Sequence, residues 1–145
     1  MRNLVMILVL SIVVTGLDII GGGNMTFVAA SSAAENTYAP QSNSERSINV
    51  TATLQGFQQG TTNLEFNVSL ETHVHPLDDD LVKVSALVVD GKRYAPIAWE
   101  GSPPGGHHRR GVLRFGGIAP PPAAVELQIR LSGDADPRSF RWTLK

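Results

Sequence analysis

The sequence predicts an all-β domain, an antiparallel immunoglobulin-like β-sandwich of about seven strands. Apolar and polar residues alternate in several stretches, which is the pattern of strands that bury one face. No segment after residue 30 has the periodicity of a helix, and the alternating stretches recur at short intervals between turns rich in glycine and proline. A small barrel is the alternative architecture.

The chain begins with the layout of an export signal. A basic start is followed by an apolar run over residues 4–14, and small residues then allow cleavage after Ala30 or Ala34. The alternative is a retained membrane anchor over residues 4–20, a stretch that is short for a span and carries an acidic residue. We therefore expect residues 1–34 to be a signal peptide or an anchor. The remaining chain is then secreted, periplasmic or anchored at the cell surface.

Residues 35–46 are polar and low in apolar content, so they are interpreted as a flexible linker, and residues 47–145 as the sandwich domain. The strands expected in this domain are 48–54, 64–70, 81–89, 93–99, 111–115, 125–131 and 140–144. Asp90-Gly91 is a hairpin signal, and Pro96 marks an edge strand or a bend. The alternation places eight side chains in the core: Leu64, Phe66, Val68, Leu70, Val125, Leu127, Ile129 and Leu131.

Composition excludes several classes of protein and site. The formal net charge is −1, and it is unchanged without the export segment, which carries one arginine and one aspartate. There is thus no basic field to hold nucleic acid. The chain has no cysteine, which excludes disulfides, thiolate zinc, iron–sulfur clusters and blue copper. The three methionines all lie in the export segment, which excludes a thioether copper site from the mature domain.

The four histidines are the feature that points to chemistry. They lie in two clusters, one at residues 73 and 75 and one at residues 107 and 108. Imidazole is the commonest metal ligand in proteins, and carboxylates are usual partners. If the fold brings the clusters together, the predicted ligands of a divalent ion are His73, His107, His108, Asp78 and Asp80. Without sulfur ligands the ion is Zn²⁺ or Cu²⁺, with Ca²⁺ less favoured because the acidic run lacks a spaced calcium loop.

Two local patterns bear on this hypothesis. His73 and His75 share a strand face if the preceding alternation continues, and glycines beside the second cluster free its backbone to turn towards a ligand. The alternative is a purely structural network. In that case His73 hydrogen-bonds Asp78 or Asp80, and Arg109 or Arg110 pairs with the carboxylates of residues 78–80. The two tryptophans are expected to pack in the core or at its edge.

Two stretches resemble a family of small secreted prokaryotic proteins of uncharacterised activity. The residues that carry the resemblance are Thr72-His73-x-x-x-Leu77-Asp78-x-Asp80-Leu81, then Trp99-Glu-Gly101, Gly105-Gly106-His107-His108-Arg109, Gly111-Val-Leu113 and Phe115. The match covers residues 64–116, with a looser fit at 140–142. It brings no activity with it, but it implies that the positions to watch are His73, Asp78, Asp80, His107 and His108. His75 departs from the family's pattern, which weakens it as a ligand.

The sequence therefore predicts an exported β-sandwich binding or accessory domain with a divalent-metal site of histidine and aspartate. Its partners are then a metal ion or an extracytoplasmic protein. The alternative is a structural or protein-interaction domain whose histidine, aspartate and arginine residues only lock loops. A third hypothesis is a metal-dependent hydrolase with a general base such as Glu71. It needs a substrate cleft, for which a sandwich of about 100 residues leaves little room, so enzymatic activity is the less favoured interpretation.

Overall fold

The computed structural model describes residues 38–56 and 62–144. The predicted export segment and the first residues of the predicted linker, 35–37, lie outside this range. Within it the chain forms two antiparallel sheets, as the alternation predicts. None of the helical structure in the described part of the chain is long and apolar enough to cross a membrane.

The described residues form nine strands and one short helix. In chain order these are β1 (Gln41–Glu45), β2 (Ile48–Leu54), β3 (Leu64–Thr72), α1 (Leu81–Val84), β4 (Ser85–Val89), β5 (Lys92–Tyr94), β6 (Ala98–Gly101), β7 (His108–Phe115), β8 (Ala124–Ile129) and β9 (Arg138–Thr143). One sheet has the order β1-β2-β3-β7-β6, and the other has the order β5-β4-β8-β9.

The strand order is that of an immunoglobulin-like sandwich. With β1 set aside, β2-β3-β7-β6 corresponds to the A-B-E-D sheet, and β5-β4-β8-β9 corresponds to a C-F-G sheet extended by C′. The chain changes sheet between β3 and β4, between β5 and β6, and between β7 and β8. The predicted fold class is confirmed, with nine strands in place of about seven.

The core lies between the two sheets. All eight side chains that the alternation places there are buried. The ring of Phe66 lies 5.7 Å from that of Phe115 in its own sheet and 5.4 Å from that of Trp142 in the other. Both tryptophans pack against this core, as expected. Each fully buried apolar side chain contributes roughly 1.5–3 kcal/mol, which is what stabilises a chain without disulfides.

Residues 41–45 form a strand, so the linker interpretation of 35–46 is wrong for this part. The side chains of β1 are polar, which is why composition indicates a linker, but strand pairing uses the backbone. The whole of β1 pairs with β2. The Gln41 side chain also bonds the backbone N–H and carbonyl of Arg141, which covers the free edge of β9. The domain therefore begins before residue 47.

Two of the predicted strands are broken. Residues 81–84 form a helical turn, because Asp80 caps it by accepting the Val82 N–H at 3.1 Å. The apolar run thus becomes a strand only from Ser85. The segment 93–99 is divided at Pro96 into β5 and β6, which lie in different sheets, and this confirms Pro96 as a bend.

Candidate functional site

Four connections meet at one end of the sandwich, called the loop end below. They are the β1–β2 turn (46–47), the β3–α1 segment (73–80), the β6–β7 segment (102–107) and the β8–β9 turn (130–137). They meet because Ile48 pairs with Thr72 and Glu71 with His108, while Arg138 of the other sheet donates to the Ile48 carbonyl. All four histidines lie at this end, and all are exposed.

The first histidine cluster does not lie on a strand. β3 ends at Thr72, whose buried hydroxyl accepts the N–H of Val74 at 3.3 Å and turns the chain out of the sheet. His73 then lies beside His108, whereas His75 lines a cleft further along the segment. The interpretation of His73 and His75 as a pair on one strand face is therefore wrong.

A short backbone ladder joins the β3–α1 segment to the β6–β7 segment. The Thr72 N–H donates to the His107 carbonyl at 3.0 Å. The Leu77 N–H donates to the Gly106 carbonyl at 2.9 Å, and the Leu77 carbonyl accepts the Gly105 N–H at 2.8 Å. Gly105 and Gly106 have φ of +112° and +70°, which glycine adopts without strain. The glycines beside the second histidine cluster thus shape the backbone for this ladder.

Arg109 is the buried centre of the loop end. Arg109 is 1% exposed, and it lies on the same buried face of β7 as Leu113. One terminal nitrogen, Nη1, donates to the carbonyls of Asp79 at 2.6 Å and of Leu77 at 3.1 Å. The other, Nη2, donates to the carbonyl of Ser102 at 3.4 Å. The guanidinium therefore ties the two segments together below their ladder.

The charge of Arg109 is only partly compensated. Burial lowers the pKa of Arg109, and the carboxylates of Asp79, Asp80 and Asp78 act in the opposite direction. No ion pair of the described residues involves Arg109. The Trp99 ring lies 5.8 Å from the guanidinium carbon, within cation–π range. Backbone carbonyls and an aromatic ring hold this arginine, so the expected pairing with the aspartate run is not observed.

Arg110 faces the other way, because successive side chains of a strand alternate. Its side chain is 76% exposed and pairs with Glu71 across the β3–β7 ladder at 3.1 Å. The expected pairing of Arg110 with the aspartate run is therefore not observed either. Two arginines that look equivalent in the sequence occupy opposite faces of the sheet.

Trp99 lies over a pair of facing glycines. Gly101 and Gly111 pair across the β6–β7 ladder. A Cβ on Gly111 would lie 2.5 Å from a backbone oxygen of β6 and 2.8 Å from a ring carbon of Trp99, so only glycine fits. The indole N–H donates to the Ser102 carbonyl at 2.9 Å, the same carbonyl that Arg109 reaches. The stretch from Trp99 to Gly111 is thus largely a packing unit around the buried guanidinium.

A second buried arginine holds the other half of the loop end. Arg138 is 1% exposed and donates to the Asp134 carboxylate at 2.9 Å. It also donates to the carbonyls of Ile48 at 2.7 Å and of Glu45 at 3.0 Å. Hydrogen bonding from Arg138 lowers the pKa of Asp134 from its ordinary value. Arg138 therefore joins the β8–β9 turn to the β1–β2 turn.

Two aspartates complete the framework. The Asp79 carboxylate accepts the N–H of Ser132 at 3.1 Å and also its hydroxyl, which joins the β3–α1 segment to the β8–β9 turn. Asp80 caps α1 and pairs with Lys83 at 3.5 Å. Asp78 is exposed. All four connections of the loop end are thereby linked to one another.

The structure brings together two of the five predicted metal ligands. The ring centroids of His73 and His108 lie 6.3 Å apart, with the ring planes at 79°. His107 and Asp78 are exposed, and Asp80 is engaged at α1. Across residues 38–56 and 62–144, no group of three or more histidine, aspartate or glutamate side chains is placed to hold a metal ion. The metal site stays a prediction, for which the histidine pair is the starting point.

A cleft of about 350 Å³ also opens at the loop end, between the β3–α1 segment and the two turns. Its polar side chains are those of Arg46, His75, Asp78, Asp79 and Ser132. One guanidinium and two carboxylates therefore line the same concave surface. The Arg46 side chain donates to the Gly133 carbonyl, which fixes one wall of this cleft.

The two buried arginines are the residues that sequence reasoning missed. The glycine-rich context of Arg109 indicates an exposed loop, and Arg138 looks like a solvated strand residue. The signal that identifies them is their position in the alternation of buried and exposed residues along each strand. Arg109 alternates in step with Leu113, and Arg138 with Phe140 and Trp142, all of which are buried.

No protein-family model, curated protein or solved structure matches this chain. The functional argument therefore rests on the loop end itself.

Proposed function

We propose that this chain is an exported β-sandwich binding or accessory domain whose recognition surface is the loop end. The observation that carries the proposal is the pair of buried arginines, Arg109 and Arg138, which hold all four connections of this end. Burying a charge costs free energy, and arginine is rarely buried without a specific partner. Here the cost is offset by fixing backbone carbonyls. Fixed connections lose less conformational entropy when they bind a partner.

The surface that these connections present suits a protein partner. Val74 is 57% exposed between two histidines, and the neighbouring cleft contains both cationic and anionic side chains. An apolar contact surrounded by polar groups of both signs is typical of a modest protein interface. The net charge of −1 gives no support to nucleic acid as the partner. The basic start and apolar run at the N-terminus support an extracytoplasmic partner.

Metal binding is the second candidate, and the proximity of His73 to His108 favours it. The ion is Zn²⁺ or Cu²⁺, with Ca²⁺ behind them, and the further candidate ligands are His107, Asp78 and Asp80. The function is then metal capture or delivery. We propose no catalytic activity.

Photo-crosslinking in the native cell tests the proposed surface. A photoreactive residue at Val74 is expected to capture an extracytoplasmic protein. The matched control is the same residue at Asp90, in the exposed β4–β5 turn at the opposite end of the sandwich. When the photoreactive residue at Val74 is combined with Arg109→Met, the crosslinked product is expected to disappear. Equal products from both positions, or none from Val74, would argue against the loop end as the binding surface.

Export is tested by the N-terminus of the mature protein. We expect it to follow Ala30 or Ala34, or the chain to remain in the membrane through residues 4–20. A cytoplasmic protein that still begins at Met1 contradicts this part of the proposal.

A further inference from the structure

His73 and His108 lie side by side on two connections that the framework holds in place. His108 is the first residue of β7 and pairs with Glu71, while His73 follows β3 directly. Their ring centroids are 6.3 Å apart, and both side chains are exposed. Each imidazole is thus accessible, and its backbone position is fixed.

The spacing is close to that of two ligands on one ion. With zinc–nitrogen distances of about 2.0–2.1 Å and tetrahedral angles, two imidazole centroids lie about 5 Å apart. The observed separation exceeds this by roughly 1 Å, a difference that rotation about the side-chain bonds of exposed residues covers. The two histidines can therefore chelate one Zn²⁺.

Two ligands are too few for zinc, which takes four in a closed site. The carboxylates nearby are engaged: Glu71 pairs with Arg110, Asp80 caps α1, and Asp79 bonds Ser132. The described residues offer no third ligand at this place. Further ligands would then come from water, from residues outside the described range or from a second copy. A two-fold axis through the ion supplies two more imidazoles from a second copy.

The surroundings permit two loop ends to approach. Val74 provides exposed apolar surface next to His73. The four connections themselves carry Arg46 and Arg130 against Asp78, Asp79, Asp80, Asp134 and Asp136. A divalent cation held between two copies would offset part of this excess of carboxylates.

We propose that His73 and His108 are one half of a four-histidine Zn²⁺ site that two copies of this chain complete at their loop ends. The inference rests on the proposed function, because it takes the loop end as the binding surface. It goes further by naming the partner as a second copy and the ligand as Zn²⁺.

Sedimentation velocity of the protein as isolated from the cell, with ZnCl₂ added, tests the shared site. We expect a dimer that holds one zinc per two chains, and a monomer after EDTA. His73→Ala and His108→Ala should both remain monomeric with zinc. His75→Ala is the matched control, since His75 is exposed on the same segment but lines the cleft, and it should dimerise like the wild type.

Three results would overturn the shared site: one zinc per monomer, no zinc bound, or a zinc-dependent dimer that survives His73→Ala. Circular dichroism of each variant confirms that the sandwich is intact. Any of these results, combined with a crosslink from Val74 to a different protein, would remove the zinc proposal. The proposed function would then still stand. The absence of both crosslinks and zinc dimers would remove both.

Discussion

Replacement of Arg109 by methionine tests the framework that holds the loop end. The Leu77 carbonyl keeps the Gly105 N–H, and the Ser102 carbonyl keeps the indole N–H of Trp99, so neither loses its only donor. The Asp79 carbonyl loses its 2.6 Å bond to the guanidinium. A polar group left without a partner costs about 1–3 kcal/mol, and the lost cation–π contact adds about 0.5–1 kcal/mol.

Methionine keeps most of the packing volume and removes the burial cost of the charge, which offsets part of the loss. The two losses together cost about 1.5–4 kcal/mol before this offset. We therefore expect Arg109→Met to lower the free energy of unfolding by about 1–3 kcal/mol in urea denaturation. Arg109→Lys should lose at least as much, because an ammonium keeps the burial cost without the guanidinium fork.

Arg110→Met is the matched control. It removes an exposed ion pair with Glu71 and should change the free energy of unfolding by less than about 1 kcal/mol. If Arg109→Met is as stable as Arg110→Met, the carbonyl clamp does not stabilise the domain. A fully stable Arg109→Lys would show that the charge matters and the fork geometry does not.

Two further outcomes follow from the same framework. Gly111→Ala should cost about 1–3 kcal/mol of stability, because its Cβ would lie 2.5 Å from a backbone oxygen. Gly116→Ala is the matched control, since its Cβ would meet only side chains, at 3.2 Å or more. Equal urea midpoints for the two variants would contradict the packing argument. Asp134→Asn breaks a buried pair with Arg138 and should cost about 3–5 kcal/mol at neutral pH. Because the folded pKa of Asp134 is lowered, its contribution is present above the unfolded value near 3.8 and is lost as pH falls through the lower folded value. Urea midpoints across that acidic range should therefore fall less in Asp134→Asn than in the wild type, and parallel curves would refute this linkage.

The sandwich could be predicted from sequence because its signal is local. Alternation in Leu64–Leu70 and Val125–Leu131 reports directly which face of each strand is buried. β1 carries no such signal, because its pairing with β2 uses backbone groups that every residue has. The helical turn at Leu81 depends on one capping carboxylate within an apolar run, and a pattern of apolar residues does not register such a cap.

The candidate site was less predictable because its contacts are long-range. The sequence predicts that the two histidine clusters come close together, and the fold places His73 of one cluster beside His108 of the other. The same residues do not reveal that the chain leaves the sheet at Thr72, which separates His73 from His75. The residue type also gives no indication that Arg109 is buried. Only the alternation along β7 distinguishes Arg109, which lies on the buried face, from Arg110, which lies on the exposed one.

Native-state hydrogen exchange of the amides of Leu77 and Gly105 tests most directly whether the loop end is a fixed surface. Both lie outside the strands, and each donates across the two segments that Arg109 holds. In the wild type they should exchange at least about 1000-fold more slowly than an unstructured peptide, which corresponds to about 4 kcal/mol of opening free energy. Arg109→Met should remove most of this protection while leaving the central amides of β3 slow. Exchange of both wild-type amides within about tenfold of the unstructured rate would contradict the account, because the segments then open freely and present no fixed surface.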